Sequence, residues 1–537
     1  MVYIMFLKRR FDIFIIILFF LFSWWLMDKS FRYDNINHRF LIARHQVGDF
    51  GLHLSLIRSF SWGDNFPVES PFFPDRPLPY HYYFDLLIGV LEKAGLRIDT
   101  AFNGVSAILF TILLFLIYKL PQLIFFKNKF LGLLSVILFI FHSNLTFIDF
   151  FKEKGLSLST FRDFWLLPDY LHKGPFDGSI ISIFFTLNVY LNQRHLIAAF
   201  VIGLIIIYFL LSKLIKSQKI SYRTLIILGL VLGILSRVHT LTFFSTVIVI
   251  FLLIILFKRF SLILPLFIPA IAIFLFHSKD IIRQDINHAL LNIGFLSEKP
   301  FSILNFASFW FANLGVAILM IPLGFFLSNN KQKKIFLCFF PLFILANIFQ
   351  FSYRIDHNHS MLNLFVIIAN FYIANTLLLL WKYTVRKIFF IFLLFLLTFS
   401  GVIDLMAVKN DFHYPFFDAP SNKFMQWIKT NTQKKDIFLA KQEILDPVTL
   451  SGRYNYLGHD YYLSVMGYDT TQRKLLSKTF FEARDLETLD KVRQEKIKYI
   501  VIPIKSVIDF SYQIDRFFLK EHLVKSYEDN NVIVFKL

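Results

Sequence analysis

Cysteine is almost missing from this sequence: Cys338 is the single one, and it lies inside an apolar block. One thiol makes no intramolecular disulfide, so any domain outside a membrane has to hold together by packing alone. Phosphate-cradling glycine loops are missing too. There is no GxxxxGK[ST], no GxSxG and no GxGxxG after a strand-like run, so ATP-driven transport and serine hydrolysis lose support. No internal repeat is visible, whereas many transporters are built from pseudo-repeated halves. Acidic residues are scarce, 37 Asp and Glu against 56 Lys and Arg, for a net charge of +19. In a soluble chain this balance would point to nucleic acid. Here the Lys and Arg sit mostly in short loops between apolar blocks, so topology explains them and no nucleic-acid partner is expected.

What the chain has in excess is hydrophobic length. Hydrophobic residues make up 56% of it, against about 45–50% in soluble domains, and the mean hydropathy is +0.58. Residues 11–27, 239–257 and 387–403 are nearly uninterrupted apolar runs. Runs of about 18 or more residues read as membrane spans, because a helix rises about 1.5 Å per residue across about 30 Å of hydrocarbon. Only a helix satisfies its own backbone there. Lys8-Arg9-Arg10 followed by an apolar run resembles a signal peptide. The run is long for one and no small-residue cleavage site follows Met27, so it reads as a retained first span.

The expected fold is an α-helical polytopic membrane protein of about 11 transmembrane helices. They fall at about 11–27, 101–118, 130–149, 196–212, 223–237, 239–257, 260–277, 307–327, 335–352, 361–381 and 387–406. With the N-terminus cytoplasmic, every inside loop is basic: Lys119, Lys127 and Lys129; Lys213, Lys216, Lys219 and Arg223; Lys258 and Arg259; Lys331, Lys333 and Lys334; Lys382, Arg386 and Lys387. The positive-inside rule requires this. Residues 179–191 are apolar but short for a crossing, so they read as a helix lying at the outer interface. The outer face then carries loops 28–100, 150–195, 278–306 and 353–360. A transmembrane domain (1–407) would precede a small extracytoplasmic α/β domain (408–537). Strand-like runs at 437–440, 499–503 and 532–535 alternate there with helical patterns at about 421–431, 472–481, 485–495 and 512–519.

Polar residues gather on this outer face. In the first loop, Asp49 and His53 stand four apart, on one face of a helix that would lie along the membrane; Asp49 as a plain helix cap is the alternative. His81 lies in Pro79-Tyr80-His81-Tyr82-Tyr83-Phe84-Asp85. Asp149, Asp163, Asp169, His172 and Asp177 follow in the second loop. Arg194 and His195 open one span, Arg237 and His239 join two others, and Arg354, Asp356, His357, Asn358 and His359 fill a turn. One charged residue at a span end often only snorkels or anchors; four groups on one face, mixing carboxylate, imidazole and guanidinium, point to a shared polar site for an anionic substrate. Arginine binds phosphate bidentately, and a carboxylate can deprotonate a hydroxyl. Asp49, Asp356 and His359 are possible ligands for a divalent metal such as Mg²⁺ or Mn²⁺, without a tight metal-binding spacing. Arg453, in Gly452-Arg453-Tyr454, either folds back on the site or belongs to a structural turn.

Together these features resemble the GT-C superfamily of membrane glycosyltransferases, which includes protein O-mannosyltransferases, aminoarabinose transferases and oligosaccharyltransferases. The loop from Gly48-Asp49 through His53 to His81 is similar to that family's acidic first outer loop. Asn192-Gln193-Arg194-His195, Asp356-His357-Asn358 and Gly452-Arg453 resemble motifs of its bacterial and archaeal members. The Asp-Glu pair of several subfamilies is absent, since Phe50 follows Asp49. The resemblance implies a polyprenyl-phosphate-linked sugar as donor, its tail in membrane lipid, and transfer to a glycan, lipid or protein acceptor outside. Asp49 would be the general base. Arg194, Arg237 and His239 would hold the leaving phosphate. His53, His81, His195, Asp356, Asn358, His359 and Arg453 would bind substrate. A transporter or flippase for lipid-linked glycans, and an O-antigen ligase or polymerase-like enzyme, are the alternatives.

Overall fold

The computed structural model describes residues 2–127, 129–172, 180–181, 187–282, 290–297, 299–351, 358–381, 384–482, 486–504 and 514–537. Asp177, Arg354, Asp356 and His357 fall outside these, as does most of the interface helix expected at 179–191, of which Leu187–Asn192 is helical. The chain divides into two compact units. One holds Met1–Ser30, Asn103–Ser278 and Ile286–Phe412; the other joins Phe31–Phe102 and Lys279–Asp285 to His413–Leu537.

The first unit is helical. Each of the eleven apolar segments is occupied by helix, but not all are long and apolar enough to cross a membrane. Among the described residues six are: Arg10–Ser30, Ile98–Phe125, Arg194–Ile215, Phe260–Ser278, His359–Leu380 and Lys387–Asn410. Ile303–Leu314 and Ala317–Phe326 form a pair bent by 91° and make a seventh if counted as one span. The bend sits at Gly315, whose φ of +55° is strained for any residue with a side chain. The run expected at 130–149 stops early. Its helix, Lys129–Ile140, ends before His142-Ser143-Asn144, and a separate helix, Thr146–Lys154, begins after Asn144 accepts a hydrogen bond from the Thr146 amide at 2.9 Å.

Among the described residues the second unit holds a two-stranded ribbon, Glu69–Ser70 with Phe73–Pro77, and two larger sheets. Phe31–Asp34, Arg39–Ala43 and His413–Phe416 form an antiparallel sheet in that order, with Phe40 opposite Phe416. The other sheet has the order Val524–Glu528, Val532–Lys536, Ile497–Pro503, Ile437–Leu439, Tyr454–Asn455. Ile497–Pro503 pairs antiparallel with Val532–Lys536 and parallel with Ile437–Leu439. Alternation along a strand sends side chains to opposite faces. Phe438, Tyr499, Val501 and Val534 pack with Phe424 and Ile428 of helix Lys423–Asn431. Ile437, Leu439, Ile500, Ile502, Ile533 and Phe535 share a core with Leu52, Leu56, Phe72, Phe73 and Leu78. The segment expected as a first loop and the segment expected as a C-terminal domain therefore fold around one core.

At its centre runs helix Val47–Ser61, with Phe50 through Ser61 all buried. It was expected to lie along a membrane. Its polar residues are enclosed instead: Ser55 Oγ meets Thr449 Oγ1 at 2.9 Å, and a Cβ on Gly51 would collide with the Ile444 carbonyl and the Tyr462 hydroxyl. Arg58 is 2% exposed. It donates to both carboxylate oxygens of Asp418 at 3.1 and 2.8 Å, and its Nε lies 3.0 Å from Glu92. Ser61 donates to the other Glu92 oxygen at 2.6 Å. Burial raises the Glu92 carboxyl above its usual range, and Arg58 opposes that rise. Trp62 takes the Arg58 guanidinium and the Lys429 ammonium, each 3.2 Å from its ring centre.

Removing one member of a buried ion group costs about 3–5 kcal/mol, because the partner charges stay buried. We therefore expect Arg58→Ala to lower the thermal midpoint and to expose 413–537 to protease before the helical unit yields. An unchanged cleavage pattern would show that Arg58 does not join the two halves.

Candidate functional site

Asp49 stands in the first turn of helix Val47–Ser61. The helix is capped by Gln46, without a side-chain hydrogen bond, so the capping role weighed for Asp49 is not its own. The helix start carries partial positive charge and favours a carboxylate there. Two phenols lie within its electrostatic reach. Burial, then the charges of Asp49 and Asp85, push Tyr80 well above the ordinary phenol range. Burial, then Asp49, does the same to Tyr462. Both phenols stay protonated. Tyr462 donates to the Gly48 carbonyl at 2.7 Å, which ties the C-terminal half to the residue before Asp49.

His53, one turn further along, is 2% exposed. Its Nδ1 lies 3.1 Å from each oxygen of Asp85, on helix Tyr83–Lys93. The carboxylate accepts, so Nδ1 carries a proton. Burial raises the Asp85 carboxyl, with His53 opposing it. His81 stacks on Tyr80 with ring centres 3.8 Å apart. Asp85 is the partner that sequence reasoning passed over. The signal was there: a lone carboxylate followed by Leu86-Leu87-Ile88, on the apolar side of a short helix, has to be paired.

The helical unit arranges its own basic residues. His239 caps helix Thr240–Leu256: its Nδ1 accepts from the Thr242 amide at 3.1 Å and lies 2.9 Å from the Thr242 hydroxyl. An amide can only donate, so the neutral ring carries its proton on Nε2, the reverse of His53. His195 stacks parallel to His239, with ring centres 5.6 Å apart. Arg237 is buried and donates to the His277 carbonyl. Arg194, 1% exposed, is held by Asn103 at 2.8 Å, Ser30 at 2.6 Å and the Met27 carbonyl at 3.3 Å. His359 Nε2 meets Gln193 Oε1 at 3.0 Å. His172 and Asp149 pair at 3.1 Å.

Two expected substrate-binding residues have structural work instead. Arg453 donates to Thr432 Oγ1 and to the carbonyls of Trp62, Ser451, Ile428, Lys429 and Thr432, which uses all five of its N–H groups and closes the end of helix Lys423–Asn431. Asn358 donates to the Ala346 and Phe349 carbonyls and accepts from the Phe351 amide. Neither retains a donor for substrate. Asp356 lies outside the described residues.

No protein-family model and no curated protein matches the sequence. Among solved structures, the apo oligosaccharyltransferase of Archaeoglobus fulgidus superposes with a TM-score of 0.45 at 12% identity, covering 93% of this chain and 70% of that one. Archaeal oligosaccharyltransferase AglB from the same organism, in complex with an inhibitory peptide and a dolichol-phosphate, gives 0.41 at 12% identity over 93% and 70%. The A. fulgidus enzyme tethered to an acceptor peptide with the NVT sequon gives 0.42 at 13% identity over 91% and 69%. Likeness at this level does not fix a family.

Replacing Asp85 by Leu removes the acceptor that orders His53. Nitrogen-15 spectra of histidine-labelled protein are expected to show an Nδ1-protonated imidazole signal that is lost in Asp85→Leu, with about 1.5–3 kcal/mol of stability. An unchanged spectrum would mean that the pair does not form.

Proposed function

We propose that this chain is a membrane glycosyltransferase of the GT-C kind, moving a sugar from a polyprenyl-phosphate-linked donor to an acceptor on the extracytoplasmic face. One observation supports this above the rest. Asp49 sits at a helix start, within reach of two protonated phenols and one turn from an imidazole–carboxylate pair. This is the chemistry a weak nucleophile needs. The described residues also include six helices long and apolar enough to cross a membrane, where a lipid-borne donor would lie.

In this reading, the acceptor hydroxyl or amide gives its proton to Asp49 as it bonds to the anomeric carbon. The bond from that carbon to the phosphate oxygen breaks, and its electron pair leaves with the polyprenyl phosphate. His53, oriented by Asp85, and His81 contact the substrate hydroxyls. His239, as an Nε2–H donor, and Arg237 stabilise the phosphate; Arg194 supplies a fixed positive charge, and His195 steadies His239. His359 contacts the sugar. The N-terminus is cytoplasmic and the sheet-bearing unit extracytoplasmic, as the loop charges imply.

For a divalent metal, Asp49 offers oxygen suited to a hard cation, whereas His359 has Nε2 turned to Gln193 and Asp356 lies outside the described residues. No step is routed through a metal. A flippase reading has one observation in its favour. Asp404, on the Lys387–Asn410 helix, is 2% exposed, and neither carboxyl oxygen has a hydrogen-bond partner among the described residues. Transporters place such groups within their spans.

Purified protein in detergent, given a short-chain polyprenyl-phosphate sugar and a panel of acceptors, separates these readings, because flipping needs a sealed bilayer and transfer does not. Transfer is expected, at least 10²-fold slower in Asp49→Asn at equal yield, and the same assay with EDTA reads metal dependence. Transfer at the native rate in the variant would remove Asp49 from the reaction; none with any acceptor would favour the flippase.

A further inference from the structure

Two short helices of the helical unit, Thr146–Lys154 and Leu158–Trp165, are not used by the proposed reaction. At 9 and 8 residues neither can cross a bilayer. Between them Gly155 turns the chain with φ +70°, and Ser157 and Thr160 form a reciprocal cap that fixes the second helix start.

One side of this hairpin is packed against a single long helix. Phe151 and Phe164 stack on Phe399 with ring centres 5.7 and 5.9 Å apart. Phe150 and Leu167 cluster with Ile403 and Met406. Asn410 donates to the Trp165 and Leu167 carbonyls at 2.9 and 3.1 Å, and the Lys409 ammonium lies 3.5 Å over the Trp165 ring. All these partners belong to Lys387–Asn410, one of the helices long and apolar enough to span a membrane. The hairpin is thereby pinned to the final turns of a span.

The other side is apolar and uncovered. Leu156 is 87% exposed, Leu158 94% and Phe161 68%, with Trp165 and Leu166 also exposed. A capped turn holds these side chains out, at about 25 cal/mol per Å² if they face water. Beside them stand Lys152, Lys154 and Arg162. Lys152 lies 3.7 Å from Asp149 and Lys154 2.8 Å from Glu153. Long basic side chains next to an apolar face suit a membrane interface, where the stem stays in apolar surroundings and the charge reaches the head groups.

We propose that this hairpin lies in the bilayer interface and that membrane lipid covers it. Leu156, Leu158, Phe161 and Leu166 enter the acyl region, Trp165 stays at head-group level, and Lys152, Lys154 and Arg162 face lipid phosphate. The occupant follows from the hairpin's attachment to a helix long and apolar enough to span: it packs on Phe399, Ile403 and Met406, and the preceding turns of the same helix expose Ile388, Phe389, Ile391, Phe392 and Phe395.

Electron spin resonance tests this on the full chain in lipid nanodiscs. Cys338→Ser provides a thiol-free background, and single cysteines at Leu158, Phe161 and, as a water-exposed reference, Glu443 take a nitroxide. Collision with oxygen is expected to exceed collision with a water-soluble nickel chelate at 158 and 161, placing both labels about 5–10 Å below the phosphates, with the opposite order at 443. Nickel accessibility at 158 matching that at 443 would overturn the proposal. So would spin–spin broadening between chains at 158, which would mean that a second copy covers the face. Leu158 is almost fully exposed, so labelling it leaves the fold intact, and the readout does not depend on any transferase activity.

Discussion

A buried guanidinium cannot be left alone, and Arg58 shows how much can be organised by satisfying one. It takes its charge balance from Glu92 on one side and from Asp418 on the other, the latter far along the chain. Because the pairing is bidentate and enclosed, it fixes distance and orientation as well as proximity. The Val47–Ser61 helix is thereby locked against the C-terminal half, and the start of that helix, where Asp49 stands, inherits the rigidity. Tyr462 completes the bracket by bonding to Gly48.

Histidine chemistry in this protein is decided by neighbours rather than by solvent. His53 donates its Nδ1–H to a carboxylate; His239 accepts a backbone N–H at the same atom. Arg194 is likewise fixed by its neighbours, Asn103 and Ser30 among them.

The helices were legible because hydrocarbon leaves the backbone a single solution, and an apolar run therefore shows directly as helix. Short strands around Ile500 and Val534 were legible from β-branched composition. The shared core was not. Arg39–Ala43 pairs with His413–Phe416, and no local pattern in either strand names its partner. Span lengths were read too generously: His142-Ser143-Asn144 marks a stop, and Gly315 a bend, but both are absorbed when hydropathy is averaged over a window. Asp49 and His53 were singled out by spacing, and both do lie on the one helix Val47–Ser61. Arg453 and Asn358 looked like site residues because exposed and buried loop residues read alike in sequence; only the six acceptors around Arg453 reveal its role as a clasp. Asp85 needed the converse inference, that a carboxylate on an apolar face implies a buried base.

The division of the sheet-bearing unit between two distant stretches bears on biosynthesis. Phe31–Phe102 emerges from the ribosome early, but the strands that cover Leu52 and Phe72 follow only after roughly 300 further residues, on the order of tens of seconds at cellular elongation rates. Throughout that interval a half-finished core is exposed while helices are being threaded into lipid. The early segment must be sheltered, by a chaperone or by the membrane surface, until the last strand arrives.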